Sequence, residues 1–116
     1  MPSKESLEPL VHILHNIELA RSFVQGMSYE EFRADIRTVY AVTRCLEIIS
    51  EASRRLSDAV KARHADIPWT DIAGAGNIYR HDYEDVLEQI IWQTVSDGLA
   101  PLRTAVESEL RTLNGA

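Results

Sequence analysis

Apolar residues at Leu7, Leu10, Val11, Leu14, Ile17 and Val24 recur in steps of three and four, which puts them on one stripe of a helix. The spacing predicts a first helix over about Lys4 to Gln25. Gly26 should end it, since glycine enters a left-handed C-terminal turn without a Cβ penalty. Ser28-Tyr-Glu-Glu31 has the form of a capping box and predicts a short helical turn. A second stripe, Ile36, Val39, Tyr40, Thr43, Leu46, Ile49, Ser53, Leu56 and Val60, predicts a long helix to about Lys61, with Glu51 and Arg55 as an i,i+4 pair. His64-Ala-Asp66-Ile-Pro68 breaks the pattern, because proline suits the first turn of a helix and not its interior. A third helix should follow from about Trp69 into Tyr79–His81. It carries Gly74 and Gly76, each costing up to ~1 kcal/mol against alanine, so the pair suggests close approach by another backbone. A last helix begins near Asp85 and carries Val86, Ile90, Ile91, Val95, Leu99, Leu102, Val106, Leu110 and Leu113. Pro101 lacks an N–H and predicts a kink near Ser96–Gly98. No segment has the two-residue alternation of a strand. The expected fold is all-α: an antiparallel, up-down four-helix bundle with a kinked last helix, residues 1–116 forming one domain.

Composition narrows the class. The chain is 45% hydrophobic and 26% charged, as in an ordinary soluble domain. No apolar run approaches the roughly 20 residues of a membrane span, and no apolar segment follows Met1-Pro-Ser-Lys, so neither a membrane anchor nor a signal peptide is expected. One cysteine, Cys45, excludes an internal disulfide and fits a reducing cytoplasm; its apolar neighbours point to a packed thiol. A net charge of −6 disfavours nonspecific nucleic-acid binding, which depends on neutralising phosphates. Local basic surface remains: Arg37, Arg44, Arg54 and Arg55 fall in one segment and read either as a solvated mixed-charge face or as one wall of a basic cleft.

The chemistry concentrates in Asn77, Tyr79, Arg80, His81, Asp82 and Tyr83. Histidine carries protons near neutral pH. Asn77 lies four residues before His81, on the same helical face, where it could orient the ring or a phosphate oxygen. Arg80 points about 100° from His81 on an ideal helix, so the two meet one ligand only if the helix unwinds or a second subunit closes the site. Tyr79 and Tyr83 could stack on bases. A bland alternative is a helix end with a satisfied histidine and surface tyrosines. His12, His15 and His64 are scattered, and no spacing resembles a metal site, so no metal or other cofactor is expected. Gly74-x-Gly76 is half a phosphate-binding motif and does not follow a strand.

Four groups of residues carry a family resemblance. They are Arg44-Cys-Leu-Glu47-Ile-Ile-Ser-Glu51-Ala-x-x-Arg-Leu56; Ile67-Pro-Trp-x-x-Ile72-Ala-Gly74; Asn77-x-x-x-His81-x-Tyr83; and Ile91-Trp92 with the later Leu99-x-Pro101-Leu102. In order and spacing the chain resembles the HepT-like family of the HEPN superfamily over nearly its whole length. The resemblance implies a helical bundle that dimerises. It implies a metal-independent endoribonuclease toxin of a type II toxin–antitoxin pair, cutting RNA at the dimer cleft. It also implies a partner antitoxin, a minimal nucleotidyltransferase that attaches AMP to the motif tyrosine. In the family motif, Arg-Asn-x-x-x-His-x-Tyr, the matching residues here are Asn77, His81 and Tyr83. The position of the arginine holds Gly76, and Arg80 is the nearby cation that could act in its place. The expected site is therefore Asn77, Arg80 and His81 for catalysis, Tyr83 as AMP acceptor, and Tyr79, Arg44 and Arg37 against RNA. The glycine also leaves open a catalytically weak module that keeps nucleotide or antitoxin binding, or a purely structural helical partner.

Overall fold

The computed structural model describes residues 7–81 and 85–115; within the helices, the side chains of 78–81, 85–86 and 114–115 lie outside that description. Among the described residues every regular element is helical. In chain order they are α1 (Leu7–Val24), α2 (Tyr29–Ala34), α3 (Ile36–Arg54), α4 (Asp58–Arg63), α5 (Trp69–His81), α6 (Asp85–Gln93), a π-helical turn at Thr94–Gly98, and α7 (Leu99–Gly115). Helix α1 packs on α3 and α7, α3 packs on α5, and α2 lies across α3 and α6.

The apolar stripe of α1 is borne out in part: Leu10 and Ile17 are buried, Leu14 and Val24 are partly buried, Leu7 and Val11 are exposed, and Ile13 and Ala20 complete the buried face. A fully buried aliphatic side chain contributes about 1.5–3 kcal/mol, so such a stripe, rather than intrinsic propensity, holds the helix. Helix α1 ends at Val24, and Gly26 follows with φ 78°. Residues 4–6 of the expected start lie outside the described residues. The capping box forms in full: Ser28 accepts from the Glu31 N–H, and the Glu31 carboxylate accepts from the Ser28 N–H. Helix α2 buries Phe32, whose ring meets Trp92 of α6 at 5.2 Å between centroids. Asp35 then caps α3 by accepting from both the N–H and the hydroxyl of Thr38.

The second long helix is shorter than its apolar stripe predicts. It stops at Arg54, and Ser57 caps a separate helix, α4, by accepting from the Val60 N–H. The stripe misled because Leu56 and Val60 are both buried across the break. A tight turn, with Leu56 N–H donating to Ser53 O, keeps their phase while the backbone leaves the helix. The expected Glu51–Arg55 pair does not form, and Arg55 lies 3.3 Å from His12 Nδ1 instead.

The kink expected from Pro101 takes the form of the π-helical turn, in which the Leu99 N–H bonds back to Thr94 O. Proline removes the donor that would reach Asp97 O. The apolar positions add a second cause. Leu87, Ile91, Val95 and Leu99 are all buried and follow one another in steps of four, which drift around a 3.6-residue helix; one wider turn resets the phase.

Glu109 of α7 is 4% exposed and takes three hydrogen bonds: two from Arg63, at 2.7 and 3.1 Å, and one from His64 Nε2 at 2.8 Å. The Arg63 hydrogen bonds, with a smaller contribution from His64, hold its carboxyl below the usual carboxylate range despite burial. Trp69 Nε1–H donates to Lys61 O and His64 O, so the start of α5 is tied to the same connector. Glu109→Gln should cost about 2 kcal/mol in chemical denaturation at neutral pH, because Arg63 is half in water and recovers part of the loss. A carboxyl whose folded pKa is lowered stabilises above its unfolded pKa and loses that contribution as pH falls through the folded value. The gap between wild type and Glu109→Gln should therefore narrow as pH drops below 4.5. An unchanged gap would mean the carboxylate is not the stabilising species.

Candidate functional site

Helix α5 has few large apolar residues. Trp69, Ile72 and Ala75 are only partly buried against the core. Two side chains of α3, one turn apart, fasten it. Ser50, 2% exposed, donates its hydroxyl to Ala73 O at 3.0 Å and accepts from the Gly76 N–H at 3.1 Å. Arg54 donates to the same carbonyl through Nε at 3.0 Å and Nη2 at 2.6 Å. A carbonyl inside a helix ordinarily serves only the amide four residues on; here it also takes donors from a neighbouring helix. Gly76 is buried at this seam, where its N–H meets the Ser50 hydroxyl, a side chain. Gly74 is exposed, and a Cβ at that position would find no neighbour within 4 Å outside its own helix backbone, so no close approach requires glycine there.

The seam fixes an antiparallel register. Ser50 stands beside Gly76 and Arg54 beside Ala73. Continued along both backbones, this register brings the end of α5 level with the middle of α3, about where Arg44 and Cys45 lie. Asn77, one turn before the end of α5, is exposed. The backbones of Tyr79, Arg80 and His81 belong to α5, and their side chains are outside the description. Tyr83, the expected AMP acceptor, lies outside the described residues. Arg44 and Arg37 are both exposed on α3, two turns apart and on the same side of it. Cys45 is buried, and burial pushes its thiol up, which fits a packed residue. Among the described residues no group of three or more His, Cys, Asp or Glu side chains could hold a metal ion, and no helix is long and apolar enough to cross a membrane.

Sequence reasoning missed Ser50 and Arg54 as the residues that set α5. The glycine pair was the available signal. It told of close approach but not of which helix approached, because a cross-helix register leaves no periodic mark.

With this geometry in place, comparison with known proteins identifies the class. The family profile described as "Ribonuclease HepT-like" matches residues 13–109, and the chain belongs to that family. It is similar to "Probable ribonuclease HepT" of Thermococcus cleftensis, with 35% identity over 98 residues, covering 84% of this chain and 89% of that protein. It is equally similar to "Putative RNase TTE0752" of Caldanaerobacter subterraneus, with 35% identity over 102 residues, covering 88% of this chain and 91% of that one. No solved structure matches it at a significant level.

Ser50→Ala removes one donor and one acceptor from a buried seam. It should lower stability by about 1–2 kcal/mol in denaturant titration and raise hydrogen exchange in α5 more than in α1. Uniform exchange in both helices would show that the seam does not act locally.

Proposed function

We propose that the chain is an endoribonuclease toxin of a type II toxin–antitoxin pair, cutting RNA without a metal at a cleft between two cytoplasmic protomers. Each protomer would be a single HEPN-like domain built as an antiparallel four-helix bundle. Support comes from family membership over residues 13–109, combined with an exposed Asn77 one turn before His81 on α5. In this reading the ribose 2′-hydroxyl attacks the adjacent phosphorus. The O2′–P bond forms, the P–O5′ bond breaks, and a 2′,3′-cyclic phosphate is left. His81 takes the hydroxyl proton or returns one to the departing 5′-oxygen, a role typically worth about 10²–10⁴-fold. Two protomers facing each other would supply both histidines. Arg80 stabilises the charge that develops on the phosphorane, Asn77 orients the phosphate or the imidazole, and Tyr79, Arg44 and Arg37 contact RNA.

One observation favours a second reading. Position 76, where the family motif has arginine, is a glycine packed against Ser50. An arginine there would have to enter a buried seam, so Gly76→Arg should destabilise the helix pair before it could restore a motif. A module that keeps nucleotide or antitoxin binding but cleaves weakly would look the same. The test is cleavage of an RNA by purified protein in chelator. Activity is expected in wild type, with cyclic-phosphate ends, and a loss of about 10²-fold or more is expected in Arg80→Ala and in His81→Ala. Inactive wild type would favour the binding module. Activity surviving His81→Ala would defeat the site assignment.

The antitoxin proposed as partner is a minimal nucleotidyltransferase acting on Tyr83. AMP attached there would bring a phosphate beside Arg80 and exclude the substrate by occupancy and by charge. Incubation with a cognate nucleotidyltransferase and ATP should give an intact-mass gain that disappears in Tyr83→Phe. A gain retained in that variant would remove Tyr83 from the scheme.

A further inference from the structure

We propose that Arg54 is an RNA phosphate-binding residue of this chain, pre-positioned by the Ala73 carbonyl. The inference rests on the ribonuclease reading above and adds a residue to its binding surface.

Arg54 is exposed, yet its guanidinium is held in a defined place by two hydrogen bonds to a single carbonyl oxygen. That anchor is neutral, so it fixes the group without cancelling its charge. Among the described residues no carboxylate pairs with it, whereas Arg63 is neutralised by Glu109 and Arg103 lies near Glu18 and Glu107. The two bonds engage Nε and Nη2, which leaves N–H groups of the planar fork for a phosphate oxygen.

The place of its anchor on α5 fits the purpose. At 100° per residue, the backbone position of Ala73 falls between those of 80 and 81 and within about 40° of the exposed Asn77, so the anchor lies on the side of α5 that carries Asn77. Along the axis, Ala73 precedes position 81 by about 12 Å. That separation exceeds a single phosphate, so Arg54 would grip a neighbouring phosphate of the strand and not the one being cut. It is a binding residue and takes no part in the proton transfers. Order is a further advantage: a long side chain ordinarily loses rotamer freedom when it binds, and the Ala73 carbonyl has already restrained this one.

The experiment measures binding of full-length protein to a 2′-O-methyl oligoribonucleotide, which lacks the attacking hydroxyl, across a range of salt concentrations. Each phosphate contact on a single strand contributes about 0.7 to the slope of log K against log salt. Arg54→Gln should weaken binding several-fold at low salt and reduce that slope by about 0.7, while Arg54→Lys, which keeps the charge, should retain the slope. Ser50→Ala loosens the same seam without removing charge and should leave the slope as in wild type. Melting curves and circular dichroism for each variant establish folding. An unchanged slope in Arg54→Gln, or an equal change in Ser50→Ala, would reduce Arg54 to a helix clamp and overturn the inference while leaving the ribonuclease reading intact. Wild type that fails to bind the oligonucleotide at any salt would overturn both.

Discussion

The placement of α5 depends on one carbonyl oxygen. Ala73 O receives donors from Ser50 and Arg54 of α3, and the Gly76 N–H returns a bond to Ser50. A helix with two glycines and no fully buried large side chain between Trp69 and Asn77 is poorly equipped to fold onto a core by apolar contact. The glycines cost it roughly 2 kcal/mol against alanine. Intramolecular hydrogen bonds contribute about 1 kcal/mol each, so the seam offsets this cost, whereas any one of its bonds alone does not. Polar fixation also brings a precision that apolar packing lacks. An oil-like face lets a short helix slide by a turn, while bonds to one carbonyl and one amide fix both its rotation and its height.

The other anchor of α5 is at its beginning. Trp69 Nε1–H reaches the last carbonyls of the α4 connector, and that connector is held to α7 through Arg63, His64 and the buried Glu109. The helix is thus tied at its first residue and at its middle. The backbone of α5 continues past both anchors to His81. Asn77, the residue after the Gly76 bond, is exposed.

Periodic burial was legible from the residues. The capping box at Ser28, the stop at Gly26 and the disturbance before Pro101 follow from spacing and local chemistry, and each is present; the stripes of α1 and of α6–α7 are present in part, with Leu10, Ile17, Ile91, Val95, Leu99, Leu102 and Val106 buried but Leu7, Val11 and Ile90 exposed. The break after Arg54 was not legible, because Leu56 and Val60 stay in phase with the stripe although the chain between them turns. His64 looked like a scattered histidine because its partner, Glu109, lies 45 residues away in sequence. Of the candidate site, Gly76 is buried against the Ser50 hydroxyl, and Arg37 and Arg44 are exposed. Arg54 was visible only as one of four clustered arginines, since its distinguishing feature is a carbonyl 19 residues away.

A net charge of −6 is at odds with RNA as a substrate only until distance is considered. At physiological ionic strength the Debye length is about 8 Å, so carboxylates on the far side of the molecule are largely invisible to a bound strand. What the strand meets is the local set of cations, and their worth depends on whether each already has a counter-charge. Arg63 is paired with the Glu109 carboxylate, which offsets most of its field. Arg54, bonded to a carbonyl, is ordered and still charged. An acidic chain can therefore bind a polyanion if its arginines divide in this way, some neutralised to hold the fold and others fixed by neutral oxygens to face the ligand. Lowering the salt lengthens the reach of every charge, and the global repulsion grows along with the local attraction. Binding by such a surface should for this reason respond less steeply to salt than a count of its phosphate contacts alone would require, which sets it apart from a uniformly basic nucleic-acid binder.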